Sequence, residues 1–361
     1  MNVQFDFREL VRPWDFPGTF AGAEPCGSGH INDTYGVTFE HAGRRVRHLL
    51  QRINHQVFPA PAALMENVRR VTAHLGEKLA GGPEAERRAL RLKLTRTGAA
   101  FHRDAAGNFW RSYGFIDGGR TFDAPASPAQ ARAAAHAFGR FQTLLADLPG
   151  PRLHDTIPDF HHTPKRFAAF ERALQADVAH RAQHARPEIE FARRHQALCA
   201  VLLDAQLPER VTHNDTKLNN VMFDAATGEA LCVLDLDTVM PGLAPYDFGD
   251  LVRSATCPAA EDERDLAKVA MQFPLFAALA EGYLAATADW LTPAEKKHLA
   301  LAGRLITFET GLRFLTDYLA GDVYFKTHRP GQNLDRCRAQ FKLAESIAEQ
   351  EDAMNRLVAG W

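Results

Sequence analysis

The sequence contains no Cys-x-x-Cys pair, and none of its apolar runs approaches the roughly 20 residues needed to cross a bilayer. Its five cysteines (Cys26, Cys199, Cys232, Cys257, Cys337) are odd in number and scattered. That argues against a disulfide framework or a thiolate zinc site and fits a reducing compartment. Cys232, in an apolar run, is expected to pack as a small hydrophobe. There is no basic excess: 42 Lys and Arg stand against 44 Asp and Glu, a net charge of −2, which disfavours a nucleic-acid partner. The segment Met1–Asp6 has no basic stretch leading into an apolar one, so a secretory signal is not expected. These absences lead us to expect a cytoplasmic protein, monomeric, with no membrane association. Also missing are the Gly-x-x-x-x-Gly-Lys-Ser/Thr loop and the Val-Ala-Ile-Lys strand of two nucleotide-binding designs.

What is present fits a globular chain with room for two lobes: 361 residues, 46% hydrophobic and 24% charged, without internal repeats. The first third reads as strand, strand, strand, helix, strand, strand. Tyr35–Phe39 and Arg47–Ile53 form a hairpin across His41-Ala42-Gly43. Leu64, Val68, Val71 and Leu75 mark a helix that opens at Pro61. Leu90–Thr95 and Asn108–Ile116 read as strands. Asp117-Gly118-Gly119-Arg120 breaks the pattern and is the expected hinge. Helical periods follow over 128–147, 163–185, 188–206, 262–287, 293–320 and 332–357, interrupted by short β-type runs in 209–237. The expected class is α+β, with a β-rich lobe over 1–117 and a larger helical lobe over 118–361.

The chemistry concentrates in His213-Asn214-Asp215-Thr216-Lys217-Leu218-Asn219-Asn220 and Val233-Leu234-Asp235-Leu236-Asp237. Kinase-type phosphoryl transfer needs one carboxylate to accept the proton of the attacking hydroxyl. It also needs an amide oxygen and a second carboxylate to hold magnesium against the nucleotide phosphates. Asp215 fits the base, and Asn220 with Asp235 fits the metal pair, since magnesium keeps waters and phosphate oxygens as its other ligands. Asp237, on the same strand face by period two, reaches the metal or the acceptor, or else caps a turn. Lys217 contacts the transferring phosphoryl group or is solvated. His213 is expected to brace the loop from a buried position, and Asp247 and Asp250 to support it. Gly27, Ser28 and Gly29 let backbone amides approach phosphates, though tight hairpins use the same residues. A cation on the third strand is expected to meet the α/β phosphates and a helix glutamate; Arg52 and Glu66 are the candidates, the alternative being a surface arginine and a helix-surface glutamate. The layout is therefore bilobal and protein-kinase-like, with ATP and Mg2+ as cofactors.

These motifs, with Tyr246-Asp247-Phe248-Gly249-Asp250, resemble the aminoglycoside phosphotransferase superfamily, which includes choline and homoserine kinases. Within it the chain is most similar to the N-acetylhexosamine 1-kinases. That likeness is carried by Gly27–Tyr35, Leu50–Asn54, His213–Asn220, Asp235–Gly242 and Phe314–Phe325, which span nearly the whole chain. The resemblance implies ATP-dependent phosphorylation of the anomeric hydroxyl of N-acetylglucosamine or N-acetylgalactosamine. By it, Asp215 matches the base and Asn220 and Asp235 the metal ligands. Arg313 and Tyr324 match the sugar pocket, with His30 and Asn32 in a loop facing it. Arg313 and Asp317 stand at the spacing of an i,i+4 pair. Two alternatives stay open: a kinase of the same fold acting on an amino alcohol, homoserine or an aminoglycoside, and a pseudokinase.

Overall fold

The computed structural model describes residues 5–27 and 31–361. Ser28, Gly29 and His30 lie outside the described residues, so their expected roles are not placed. A short helix, α1 (Phe7–Leu10), precedes an antiparallel meander of β1 (Thr19–Pro25), β2 (Asp33–His41) and β3 (Arg44–Ile53). The β2–β3 turn is the two residues Ala42 and Gly43, both at positive φ (47° and 72°), which matches the right-handed twist of the strands it joins. Helix α2 (Pro61–Lys78) follows, with proline in its first turn. Then come β4 (Leu92–Lys93), β5 (His102–Arg103) and β6 (Phe109–Gly114), giving a six-stranded sheet ordered β1-β2-β3-β6-β4 with β5 beside β6. The strand expected at 90–95 is cut to two residues because the Thr95 amide turns to the Ala99 carbonyl of its own tight turn.

Strand period two gives this sheet two unlike faces. Val37, Phe39, Leu50 and Trp110 join Leu10, Val11 and Trp14 in an aromatic layer on one side. Ile53 and Tyr113 look the other way, into a core shared with Leu64, Val68 and Val71 of α2. That core continues through the helical region as far as Val358. Among the described residues, no helix is long and apolar enough to cross a membrane.

After β7 (Gly119–Arg120) the chain is mainly helical: α3 (Pro128–Leu145), α4 (Thr163–Ala176), α5 (Arg186–Arg194) and α6 (Val201–Asp204). Four short strands follow, β8 (Arg210–Thr212), β9 (Val221–Asp224), β10 (Ala230–Val233) and β11 (Met240–Gly242). Helices α7 (Ala244–Ala255), α8 (Phe273–Thr287), α9 (Pro293–Lys297), α10 (Leu299–Leu319) and α11 (Gln332–Ala359) complete the fold. It is the α+β architecture expected, with an antiparallel sheet first and helices after. Several expected helices are shorter, each stopped by a side chain. α4 ends where Asp177 turns left-handed and takes the amides of Arg181 and Ala182 on its carboxylate. α5 ends where the His195 ring donates to the Phe191 carbonyl, and α9 where His298 does the same to Ala294. The proposed hinge is partly tied down: Gly119–Arg120 pairs with β9, and a Cβ on Gly119 would overlap Met222.

His48 on β3 is buried between Phe16 and Phe39, and neither ring nitrogen has a hydrogen-bond partner among the described residues. Burial, reinforced by Lys93, pushes its pKa down to about 4. The unfolded chain therefore binds this proton below about pH 6.5 while the folded chain does not. Stability from this site is complete above pH 6.5 and is lost as pH falls towards 4, by up to about 3 kcal/mol. Melting temperature measured across pH 4–7 should fall more steeply for the native chain than for His48→Leu; parallel curves would refute the assignment.

Candidate active site

The candidate catalytic loops are built by two nested hairpins. β8 pairs with β11, and between them β9 pairs with β10. The segments joining the pairs, 213–220 and 234–239, are thus pressed together. Val221 sits opposite Val233, and one rung on the Leu234 amide donates to the Asn220 carbonyl (2.8 Å). This places Asn220 beside Asp235 although fifteen positions separate them. Gly242 lets the outer pair close, because a Cβ there would overlap Thr212 Oγ1 and lie 3.0 Å from Asn214 Oδ1.

Asp247, fully buried on α7, holds the loop bearing Asp215. Its carboxylate accepts the amides of His213 (2.8 Å) and Asn214 (2.7 Å) and the Gln142 side chain (2.6 Å). Asn214 is left-handed at φ 64°, and its amide side chain spans the Thr212 and Thr238 carbonyls. His213 is buried edge-on against Phe138 and Phe141; its Nε2 donates to the Leu234 carbonyl (2.8 Å) and its Nδ1 accepts from the Asp215 amide (3.3 Å).

Asp215 Oδ2 accepts from Asn220 Nδ2 (3.0 Å) and meets Lys217 Nζ at 3.1 Å. Withdrawal from bulk water would raise the Asp215 carboxyl, but Lys217 and then His213 outweigh it and hold the group below the usual carboxylate range. Asp215 in turn holds the Lys217 ammonium up. Because the Asn220 amide nitrogen also bonds the Asp215 carbonyl (2.8 Å), its oxygen is the atom left to meet a cation.

Asp235 differs. It is exposed, although the neighbouring protein thins the water around it. Withdrawal from bulk water, then repulsion from Asp237 and Asp215, pushes its pKa up to about 6. Among the described residues no group of three or more His, Cys, Asp or Glu side chains forms a metal cage. The pair Asn220 and Asp235 therefore fits magnesium in its usual form, with few protein oxygens and the remaining positions taken by phosphate and water.

Asp237 does not follow the strand periodicity expected of it. β10 ends at Val233, Asp235 is left-handed at φ 54°, and Leu236–Thr238 winds into a 3₁₀ turn. Asp237 is buried, ion-paired through Oδ1 with Arg111 of β6, and bonded through Oδ2 to Asn32 Nδ2 (2.6 Å). Asn32 Oδ1 in turn accepts the Asn54 amide, so Asn32 links the sheet to the catalytic loops.

The expected Arg52–Glu66 pair is not formed. Arg52 shares the outer sheet face with Leu50; it donates to Asp33 (Nε to Oδ2, 2.7 Å) and lies over the Phe5 ring. Glu66 meets His154 instead (2.8 Å). The inward residue of β3 is Gln51, whose Oε1 accepts from Arg111 directly across the ladder. Arg111 is thus the cation facing the loops, and sequence reasoning missed it. The available signal was an arginine one residue from Trp110 in a strand, on the face opposite an aromatic layer. Gly27, exposed at φ 82°, ends the described part of the N-terminal loop.

At the far side, the Arg313 guanidinium lies within 5.2–6.0 Å of the rings of Phe160, Tyr324 and Phe325. The expected Arg313–Asp317 pair is absent. Asp317 is buried and accepts the amides of Val323, Tyr324 and Phe325 with Asn333 Nδ2, so it is committed to shaping the loop that carries Tyr324. Phe160, also missed, is followed by His161, which contacts the Asn214 carbonyl and joins this aromatic group to the Asp215 loop.

Removing one partner of a buried ion pair strands the other charge. Arg111→Met should therefore cost about 3–5 kcal/mol. The double variant Arg111→Met/Asp237→Leu should recover much of that loss, and additive losses in melting temperature would show that the two do not act as a pair.

Comparison with known proteins identifies the family and the fold. The model of a phosphotransferase enzyme family matches residues 22–292, most of the chain. Among solved structures, an aminoglycoside phosphotransferase from Alicyclobacillus acidocaldarius is 14% identical with a TM-score of 0.65, covering 100% of this chain and 98% of that one. A spectinomycin phosphotransferase in complex with ADP and spectinomycin is 12% identical with a TM-score of 0.60, covering 98% and 99%. An ethanolamine kinase from Plasmodium vivax is 13% identical with a TM-score of 0.54, covering 88% and 82%. Identities this low speak for the fold, whereas the family match spans the nested hairpins and the loop of Asp215: the chain belongs to the phosphotransferase enzyme family.

Proposed function

We propose that the protein is an ATP-dependent kinase that phosphorylates the anomeric hydroxyl of N-acetylhexosamines, giving the sugar 1-phosphate. Residues 1–117 would serve as the nucleotide lobe and 118–361 as the catalytic and acceptor lobe. The observation that carries the acceptor reading is the state of the acids around Arg313. Glu309 is bonded to His161 and Thr163, Asp317 to three backbone amides, and Asp322 to Arg181 and Asn333. None is left to receive an ammonium group. An arginine among aromatic rings suits a neutral, hydroxyl-rich acceptor better than an amino alcohol or an aminoglycoside. The sequence likeness to N-acetylhexosamine 1-kinases supports the same reading.

In the proposed reaction the acceptor hydroxyl attacks the γ-phosphorus, its proton passes to Asp215, and the bond to the β-phosphate bridging oxygen breaks to release ADP. Asn220 and Lys217 both engage Asp215 Oδ2, which leaves Oδ1 to take the proton. Lys217, next to the base, meets the transferring phosphoryl group. Magnesium held by Asn220 and Asp235 would neutralise phosphate charge. With a loose transition state, holding the hydroxyl and phosphate in line supplies most of the rate.

Asp215→Asn should lower turnover by about 10²–10⁴-fold while calorimetric ATP affinity changes little. Near-normal turnover would remove Asp215 as base. ATP consumption across a panel of N-acetylhexosamines, other sugars, amino alcohols and aminoglycosides, with the product's phosphate located by NMR, tests the acceptor. Phosphate on any atom other than the anomeric oxygen would overturn the proposal.

A further inference from the structure

The peptide bond between Asn214 and Asp215 is held on both edges by imidazoles. The Asp215 amide donates to His213 Nδ1 (3.3 Å), and the Asn214 carbonyl contacts His161 Nε2 (3.2 Å). His161 lies in the loop before α4 and is itself fixed: Nδ1 meets Glu309 Oε1 at 2.8 Å, and Thr163 Oγ1 donates to the other Glu309 oxygen at 2.6 Å. Both side chains are buried, His161 at 6% and Glu309 at 1% exposure. Burying a carboxylate on the middle of α10 is costly unless its bonds are made, and these bonds lead to the backbone next to Asp215.

The need for such a hold follows from backbone conformation. Asn214 is left-handed at φ 64°, and the peptide plane after it turns about the Asn214 ψ and Asp215 φ bonds, which the grip on the Asn214 amide does not fix. Asp247 grips the amides of His213 and Asn214 with its carboxylate and the Thr216 hydroxyl with its carbonyl, but makes no bond to the Asn214–Asp215 peptide itself. The plane that carries the chain into Asp215 therefore depends on the two imidazoles.

We propose that His161, held by Glu309 and Thr163, is a positioning residue that locks the Asn214–Asp215 peptide plane and so aims the Asp215 carboxylate. The catalytic consequence rests on the assignment of Asp215 as base; the clamp itself does not. Because Phe160 packs under Arg313, the same short loop carries both the clamp and a wall of the aromatic group.

Amide hydrogen exchange in the full-length protein without ligands tests the clamp without an acceptor. In His161→Phe the Asp215 amide should exchange about tenfold faster, while the amides of His213 and Asn214 stay within roughly twofold of the native rates. His161→Gln, which keeps a donor, should restore protection. Turnover of Mg·ATP with N-acetylglucosamine and N-acetylgalactosamine should fall about ten- to a hundredfold in His161→Phe, with KM for ATP within roughly twofold. An unchanged Asp215 amide, three amides accelerated together, or full turnover in folded His161→Phe would overturn the proposal. If His161→Phe does not fold, Glu309→Gln takes its place: selective acceleration at Asp215 supports the clamp and its absence overturns it. An active Asp215→Asn would instead remove the base assignment, with the exchange data still deciding the clamp.

Discussion

Everything chemical in this fold depends on one buried carboxylate, Asp247. Two consecutive amides, those of His213 and Asn214, point at it, an arrangement the chain adopts only by turning left-handed at Asn214. Burial raises the Asp247 carboxyl, and the loop's amides and Gln142 are what favour its charged form. Helix α7 brings Asp247 to the loop, and the α7–α10 contact needs Gly249, where a Cβ would sit 2.5 Å from the Ala302 carbonyl. A local anion–amide contact thus ties the loop of Asp215 to the packing of α7 on α10.

The cleft then gathers three further carboxylates, and like charges at close range cannot all be ionised without compensation. The structure gives each a different answer. Asp237 has the Arg111 guanidinium and the Asn32 amide. Asp215 has Lys217 and Asn220. Asp235 has no cation bonded to it, and withdrawal from water together with repulsion from Asp237 and Asp215 raises its pKa. In the proposed reaction a divalent cation would supply that missing compensation, which suits Asp235 to the role of metal ligand.

The legible parts of the sequence were those set by short-range patterns. The strand–strand–strand–helix order, the Ala42–Gly43 turn, α2, α3 and α11, and the loop of Asp215 all follow from periodicity and from fixed spacing within a few residues. What failed was decided by tertiary contacts. Arg52 and Gln51 are neighbours in sequence, but period two sends them to opposite faces of β3, and the cation arrives from Arg111 on another strand. Asp237 reads as strand-paired with Asp235 only if the strand continues, and a left-handed residue ends it. Arg313 and Asp317 have the spacing of an ion pair, yet three unpaired amides in the 323–325 loop compete for the same carboxylate and win.

That last competition bears on specificity. A carboxylate already saturated by backbone amides is a poor partner for a mobile ammonium group, because displacing those amides would leave them buried and unpaired. In the block around Arg313, the acids stabilise loop shape and the arginine lies against rings, so the charge presented outward is positive and partly delocalised. If the acceptor binds here as proposed, a cationic one would meet repulsion from Arg313 and from Arg166, whose own guanidinium is held below its ordinary pKa by burial and by Arg313. Under the proposed function, rejection of cations would follow from the same contacts that hold Tyr324 in place, with no additional residue needed.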